Sequence, residues 1–294
     1  MPFSDYLIAI PMALAIISLW FSGRAWIVLV LIALAIGFIF HQITLPGLVM
    51  VAIGFGLAAL IAHNPNYSGK RKEESTLPSL FNKSIQVILH SLLIFWVLLT
   101  FSHLLPGFNN VLLLDKVYAN QDAIPFTLYF NVDKSLTICV LFLAWPSILG
   151  NRKTIKEWHW QAWLVTFMGF IMIQVLACVI GLVRPDFKIP DWWWLFAFNN
   201  LLITCVAEEA FFRGYLQQQL SRLLGVAPGW LLTSCLFGLA HYQGGWIYAV
   251  LAALAGIGYG AVFLITGRLW VSIITHFLFN MTHLIFYTYP MLKQ

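Results

Sequence analysis

An all-α, polytopic membrane helix bundle is the fold class this sequence predicts, and three observations predict it. Hydrophobic residues make up 61% of the 294 and charged residues 9%, at a mean hydropathy of +0.86, a balance outside the range of soluble globular domains. Apolar runs of about 16 to 22 residues recur between short polar breaks, the length a helix needs to cross roughly 30 Å of hydrocarbon. Trp is abundant, at 13 residues, and sits near the ends of those runs, as interfacial aromatic belts do, although the same rings can serve as packing groups.

The runs fall near 6–22, 25–41, 46–62, 84–104, 135–150, 160–182, 191–213, 228–242, 246–266 and 269–289, which gives about 8–10 transmembrane helices. The separators Ser22-Gly23-Arg24 and Gln42-Ile43-Thr44 are thin, and the runs at 135–150 and 228–242 are short. Between the fourth and fifth runs, the connection at 105–134 is long enough to be a capping loop or a re-entrant segment. It carries Pro106-Gly107-Phe108-Asn109-Asn110 and an apolar patch, Val111 to Leu114.

Charge orients the bundle. With the loop at 63–83 in the cytoplasm, alternation puts Arg24, the 151–159 and 214–227 loops and Arg268 inside as well. Eleven of the 16 Lys and Arg, Arg213 among them, are then inside and five outside, with both termini outside. The net charge of +5 is spread over these loops and forms no dense stripe, so no nucleic-acid partner is expected. Cys139, Cys178, Cys205 and Cys235 lie in apolar runs without CxxC spacing and read as buried thiols. Met1 to Asp5 lacks the basic start of a cleavable signal peptide.

The chain changes character near residue 191. Residues 1–190 confine their charge to loops and form N-terminal transmembrane helices of unassigned role, whereas residues 191–294 carry polar residues inside the runs and form the expected catalytic core. Ionisable residues within a span are costly and mark function. Glu208 and Glu209 are such a pair, and Arg213, four residues after Glu209, shares its helix face in the favourable acid-first order. Glu208 points about 100° away and is left to face a cavity. Phe237 to His241 ends the next run, just before Gln243-Gly244-Gly245 breaks it. His276 and Asn280 share one face of the last run, and His283, seven residues after His276, either lines the same cavity or packs. Gly256, Gly258 and Gly260 suit close helix approach, and no strand precedes them as a nucleotide loop would require.

These residue types describe a hydrolase. A glutamate and a histidine sharing a water can remove its proton, and an Asn amide with a second His N–H, one turn apart, can meet the oxyanion that develops on a peptide carbonyl. Glu208-Glu209-Ala210-Phe211-Phe212-Arg213 resembles an EExxxR motif, Phe237–His241 an FxxxH motif and His276–Asn280 an HxxxN motif. Together they resemble the CAAX-processing and bacteriocin-processing (CPBP) family of intramembrane glutamic endopeptidases over about residues 190–289. That resemblance implies peptide-bond hydrolysis by a water that Glu208 and His241 activate, with His276 and Asn280 as the oxyanion site. Glu209 and Arg213 would support them and Phe237 would pack behind His241. It implies no metal and no cofactor, and a cavity within the membrane, that of a bacterial cell's inner membrane, open toward the cytoplasm. Its partners would be the bilayer and a membrane-associated protein or peptide substrate, of which prenylated CAAX termini, signal or pheromone precursors and bacteriocin leaders are the open classes.

Two alternatives stand beside this reading. Glu208, His241 and His276 are permissible zinc ligands for an intramembrane metalloprotease, although no compact HExxH is present and Asn is a poor ligand. A non-catalytic membrane protein, such as an immunity factor, scaffold or transporter, could use the same groups as a structural or proton-relay network, although paired repeats of the transporter kind are missing.

Overall fold

A computed structural model describes residues 7–21, 23–63, 79–150 and 160–293. The helices are α1 (Ala9–Ser18), α2 (Ala25–Ile39), α3 (Leu45–Ala62), α4 (Ser79–Phe101), α5 (Val132–Ala144), α6 (Trp160–Val179), α7 (Trp193–Leu224), α8 (Val226–Ala240), α9 (Trp246–Thr266) and α10 (Leu269–Phe286). Six of these described helices are long and apolar enough to cross a membrane: α3, α4, α6, α7, α9 and α10, with α4 counted from Ser84; α1, α2 and α8 are shorter apolar helices. The chain is therefore a polytopic helical membrane protein. Lys70, Arg71, Lys72, Arg152, Lys153 and Lys156, on which the expected orientation largely rests, lie outside the described residues, as does Trp158.

Two compact units divide the chain. The first comprises Met1–Val111 with Asn131–Ser147, and the second Leu112–Phe130 with Ile148–Gln294. In the first, α5 departs from the expected span at 135–150. It has 13 residues, about 20 Å of helix, too short to cross a bilayer, and ten of its residues are buried. Its first turn holds Asp133, 1% exposed, paired with His103 at 3.2 Å. Trp26 is buried against Phe55 and Phe142, so this ring packs. Trp160, Trp193, Trp194, Trp246 and Trp270 are exposed at helix starts, where belt residues belong.

The second unit holds all the motifs. Part of the long connection is a two-stranded sheet of β1 (Val111–Val117) and β2 (Phe126–Phe130), where a loop or re-entrant segment was expected. Phe126 stacks on Trp192 at 5.6 Å and meets the edges of Phe196 and Tyr289, so the hairpin packs at the start of α7. An open two-stranded edge is not stable in lipid, which puts this end outside the hydrocarbon. Asp186 helps to tie it down: burial disfavours its charge, but hydrogen bonds from Lys188 and Asn120 and the Lys188 charge hold its carboxyl below the usual range.

Helix α7 also departs from expectation. The residues assigned to an inner loop at 214–227 continue the helix to Leu224, and the turn comes at Gly225, whose φ of +95° only glycine adopts readily. Gly214 serves close approach instead, since a Cβ there would stand 3.0 Å from Ile148 Cβ and O. Within α7, Asn200–Cys205 and Ala210–Gln217 are wound as π-helix, on either side of the two glutamates.

Candidate active site

The π turns decide which side chains of α7 share a face. Residues five apart lie about 140° apart on an α-helix, but the wider i→i+5 turn stacks them. Accordingly the Cys205 thiol donates to Asn200 Oδ1 at 3.3 Å. In the second stretch Arg213 Nη1 donates to Glu209 Oε1 at 3.2 Å, with both side chains fully buried. Arg213, counted from the sequence with the inside loop charges, is thus an internal partner. Its Nη2 donates to Gly256 O at 3.0 Å, and its guanidinium lies over Phe237 at 4.4 Å and Tyr259 at 5.3 Å. Four residues further along each helix, Gln217 Nε2 donates to Gly260 O at 3.2 Å.

Glycine in α9 makes this register available. A Cβ at Gly260 would meet Trp230 at 2.5 Å and Gln217 Oε1 at 2.7 Å, and one at Gly258 would meet Phe170 at 2.6 Å. At Gly256 the nearest atoms, Arg213 Nη2 and Phe237 Cδ1, stand at 3.2 and 3.3 Å.

Glu208 and His241 come together from α7 and the end of α8. Glu208 Oε2 lies 3.9 Å from His241 Nε2. The other ring nitrogen of His241, Nδ1, is 2.8 Å from Phe237 O. A carbonyl only accepts, so Nδ1 carries a proton, and in the neutral ring Nε2 then turns its lone pair toward Glu208. The Phe237 ring lies against His241 at 4.5 Å, so Phe237 holds the histidine with both backbone and side chain.

On α10, His276 Nδ1 is 2.9 Å from Glu209 Oε1, and the ring stacks on Tyr259 at 4.4 Å. Glu209 therefore takes two bonds on one oxygen and joins Arg213 to His276. Asn280 Nδ2 donates to Asn200 Oδ1 at 3.2 Å. His241, His276, Asn280 and His283 line one cavity with Phe237, Tyr248 and Tyr259. The zinc alternative needs Glu208, His241 and His276 on one ion, whereas among the described residues no three His, Cys, Asp or Glu side chains form a group that could hold one.

Sequence reasoning missed Asn200, Gln217 and Tyr259 as parts of this network. Asn199-Asn200, polar inside an apolar run and eight residues before Glu208, was the available signal. Residues 190–282 match the model of a family described as type II CAAX prenyl endopeptidase Rce1-like. Over this segment, about a third of the chain, the protein is similar to that family. All three motifs fall inside the matched segment. Comparisons with curated proteins and with solved structures found no match.

Proposed function

We propose that the protein is a glutamate-type intramembrane endopeptidase in which Glu208 and His241 activate the attacking water. The observation that carries this reading is the 3.9 Å between Glu208 Oε2 and His241 Nε2. It exceeds a direct hydrogen bond, yet one water oxygen fits within hydrogen-bond reach of both atoms. Phe237 O fixes the tautomer that leaves Nε2 as an acceptor.

His276 and Asn280 form the oxyanion site, and the geometry adds a condition to it. With Nδ1 committed to Glu209, the His276 nitrogen left for substrate is Nε2, which bears a proton only in the imidazolium. Asn280 Nδ2 donates to Asn200 Oδ1 at 3.2 Å and to Cys205 Sγ at 3.8 Å, and the hydrogen on the weak sulfur acceptor is the one that turns to the substrate oxygen. Asn200 and Cys205 are positioning residues here. The reaction adds water across the peptide bond: the water proton passes to Glu208, the carbonyl oxygen becomes the oxyanion, and the proton returns to the departing amine. The substrate is a membrane-associated peptide, reached from the cytoplasmic side of a bacterial inner membrane.

The test is cleavage of a membrane-tethered peptide by purified protein in vesicles, with and without a strong chelator. Cleavage that survives chelation is the expected result. Loss on chelation and recovery on adding zinc would favour the metalloprotease instead.

A further inference from the structure

The catalytic cavity holds two polar side chains for which the proposed reaction has no use. Ile173, Ala177, Leu182, Val183 and Leu251 give it apolar walls, and Gln174 and His283 stand among them. Gln174 and Ala177 are the buried residues of α6, a helix otherwise turned largely outward. The Gln174 amide nitrogen is buried and has no hydrogen-bond partner among the described residues, and the same is true of His283 Nε2. Leaving a buried donor or acceptor unpaired is destabilising, and the ring contact of His283 with Tyr289 at 5.1 Å supplies no partner for Nε2.

Their hydrogen-bonding characters are opposite. Gln174 offers an N–H. The His283 ring bonds the Thr288 backbone, whose N–H is already given to Arg184 O at 2.9 Å, so the Thr288 carbonyl takes the ring proton. With Nε2 unpartnered, Nδ1 is the donor and neutral His283 presents a lone pair at Nε2. One donor and one acceptor in an apolar cavity are the complement of a peptide group, which has one C=O and one N–H.

We propose that Gln174 and His283 form a substrate subsite. Gln174 binds the C=O and His283 the N–H of one backbone peptide group, and the adjoining aliphatic side chain enters the recess of Ile173, Ala177, Leu182, Val183 and Leu251. The subsite rests on the endopeptidase reading and extends it to the class of residue selected. Its distance from the chemistry follows from α10, a regular helix. His283 lies about 4.5 Å along the axis from Asn280 and about 10.5 Å from His276. An extended peptide advances about 3.3–3.6 Å per residue, so the recognised group is about one to three residues from the scissile bond. Gln174 and His283 both lie outside the family match at 190–282, as residues that set this chain's own selectivity would.

An ester scan tests the subsite. Purified full-length protein in phosphatidylcholine vesicles cleaves a tethered peptide in which each amide within three residues of the scissile bond, that bond excepted, is replaced in turn by an ester, which lacks the N–H. Wild type should show a KM raised roughly tenfold at one position, the effect of one lost hydrogen bond. In His283→Leu the amide and ester forms of that position should become equivalent. Gln174→Leu should raise KM roughly tenfold, more than it lowers kcat, and keep the ester penalty. Normal cleavage with a flat scan, which needs no variant, overturns the subsite and leaves the protease reading intact. An ester penalty unchanged in His283→Leu also overturns it. Absence of all cleavage overturns both.

Discussion

Glu209 and Arg213 show how much a single buried charge depends on its neighbour. Both are fully buried, and Glu209 Oε1 is shared between Arg213 and His276. Removing one partner of such a pair strands the other in low dielectric, at about 3–5 kcal/mol, whereas replacing both with apolar groups of similar size is far milder. Glu209→Leu alone should therefore cost about that amount in chemical denaturation in micelles, and the Glu209→Leu/Arg213→Met double variant should be the more stable of the two. Additive losses would mean that Glu209 and Arg213 do not stabilise each other. The Glu209–Arg213 pairing was legible in the sequence because four-residue spacing on a helix puts the two side by side, as it puts His276 and Asn280 on one face; the Glu209–His276 contact, between two helices, was not. Asn200 and Gln174 were not, because a lone amide barely changes the hydropathy of a long apolar run, and only the tertiary neighbours give it a role.

The elements carry the next level. Helices α7 and α9 share a register in which Arg213 and Gln217 bond the carbonyls of Gly256 and Gly260. The two glycines differ in the space around them. Gly260→Ala would drive a Cβ into Trp230 and Gln217 and should cost about 1–3 kcal/mol, as overpacking does. Gly256→Ala meets its neighbours at 3.2 Å and beyond, and should cost less. Denaturation midpoints of the two variants check the order, and equal losses would contradict it. The run of glycines announced close approach, but the π turns of α7 did not show in the sequence, since they depend on bonds such as Cys205 to Asn200. The β1–β2 hairpin left only a faint signal, the Phe126-Thr127-Leu128-Tyr129-Phe130 run of β-favouring residues after a polar turn.

At the scale of the whole molecule, the hydropathy pattern gave the helical membrane class directly, because bilayer thickness sets span length. It counted spans less well: α5 is an apolar run that is buried inside its own unit and never needed to cross lipid. The proposed reaction in a cavity among membrane helices also has a kinetic consequence. A membrane-tethered substrate is expected to reach it by diffusion in the bilayer, so the cleavage rate should fall as tethered peptide is diluted with lipid at constant bulk concentration. A rate indifferent to lipid dilution would mean access from water alone.

The central claim is that Glu208 activates the hydrolytic water while Glu209 serves the structure. Its most direct measurement is the cleavage rate and thermal melting of Glu208→Gln beside wild type, in the same vesicles. The account predicts a rate lower by about 10²–10⁴, the usual contribution of a general base, with the melting temperature nearly unchanged. Cleavage within a few fold of wild type by a well-folded Glu208→Gln would contradict it.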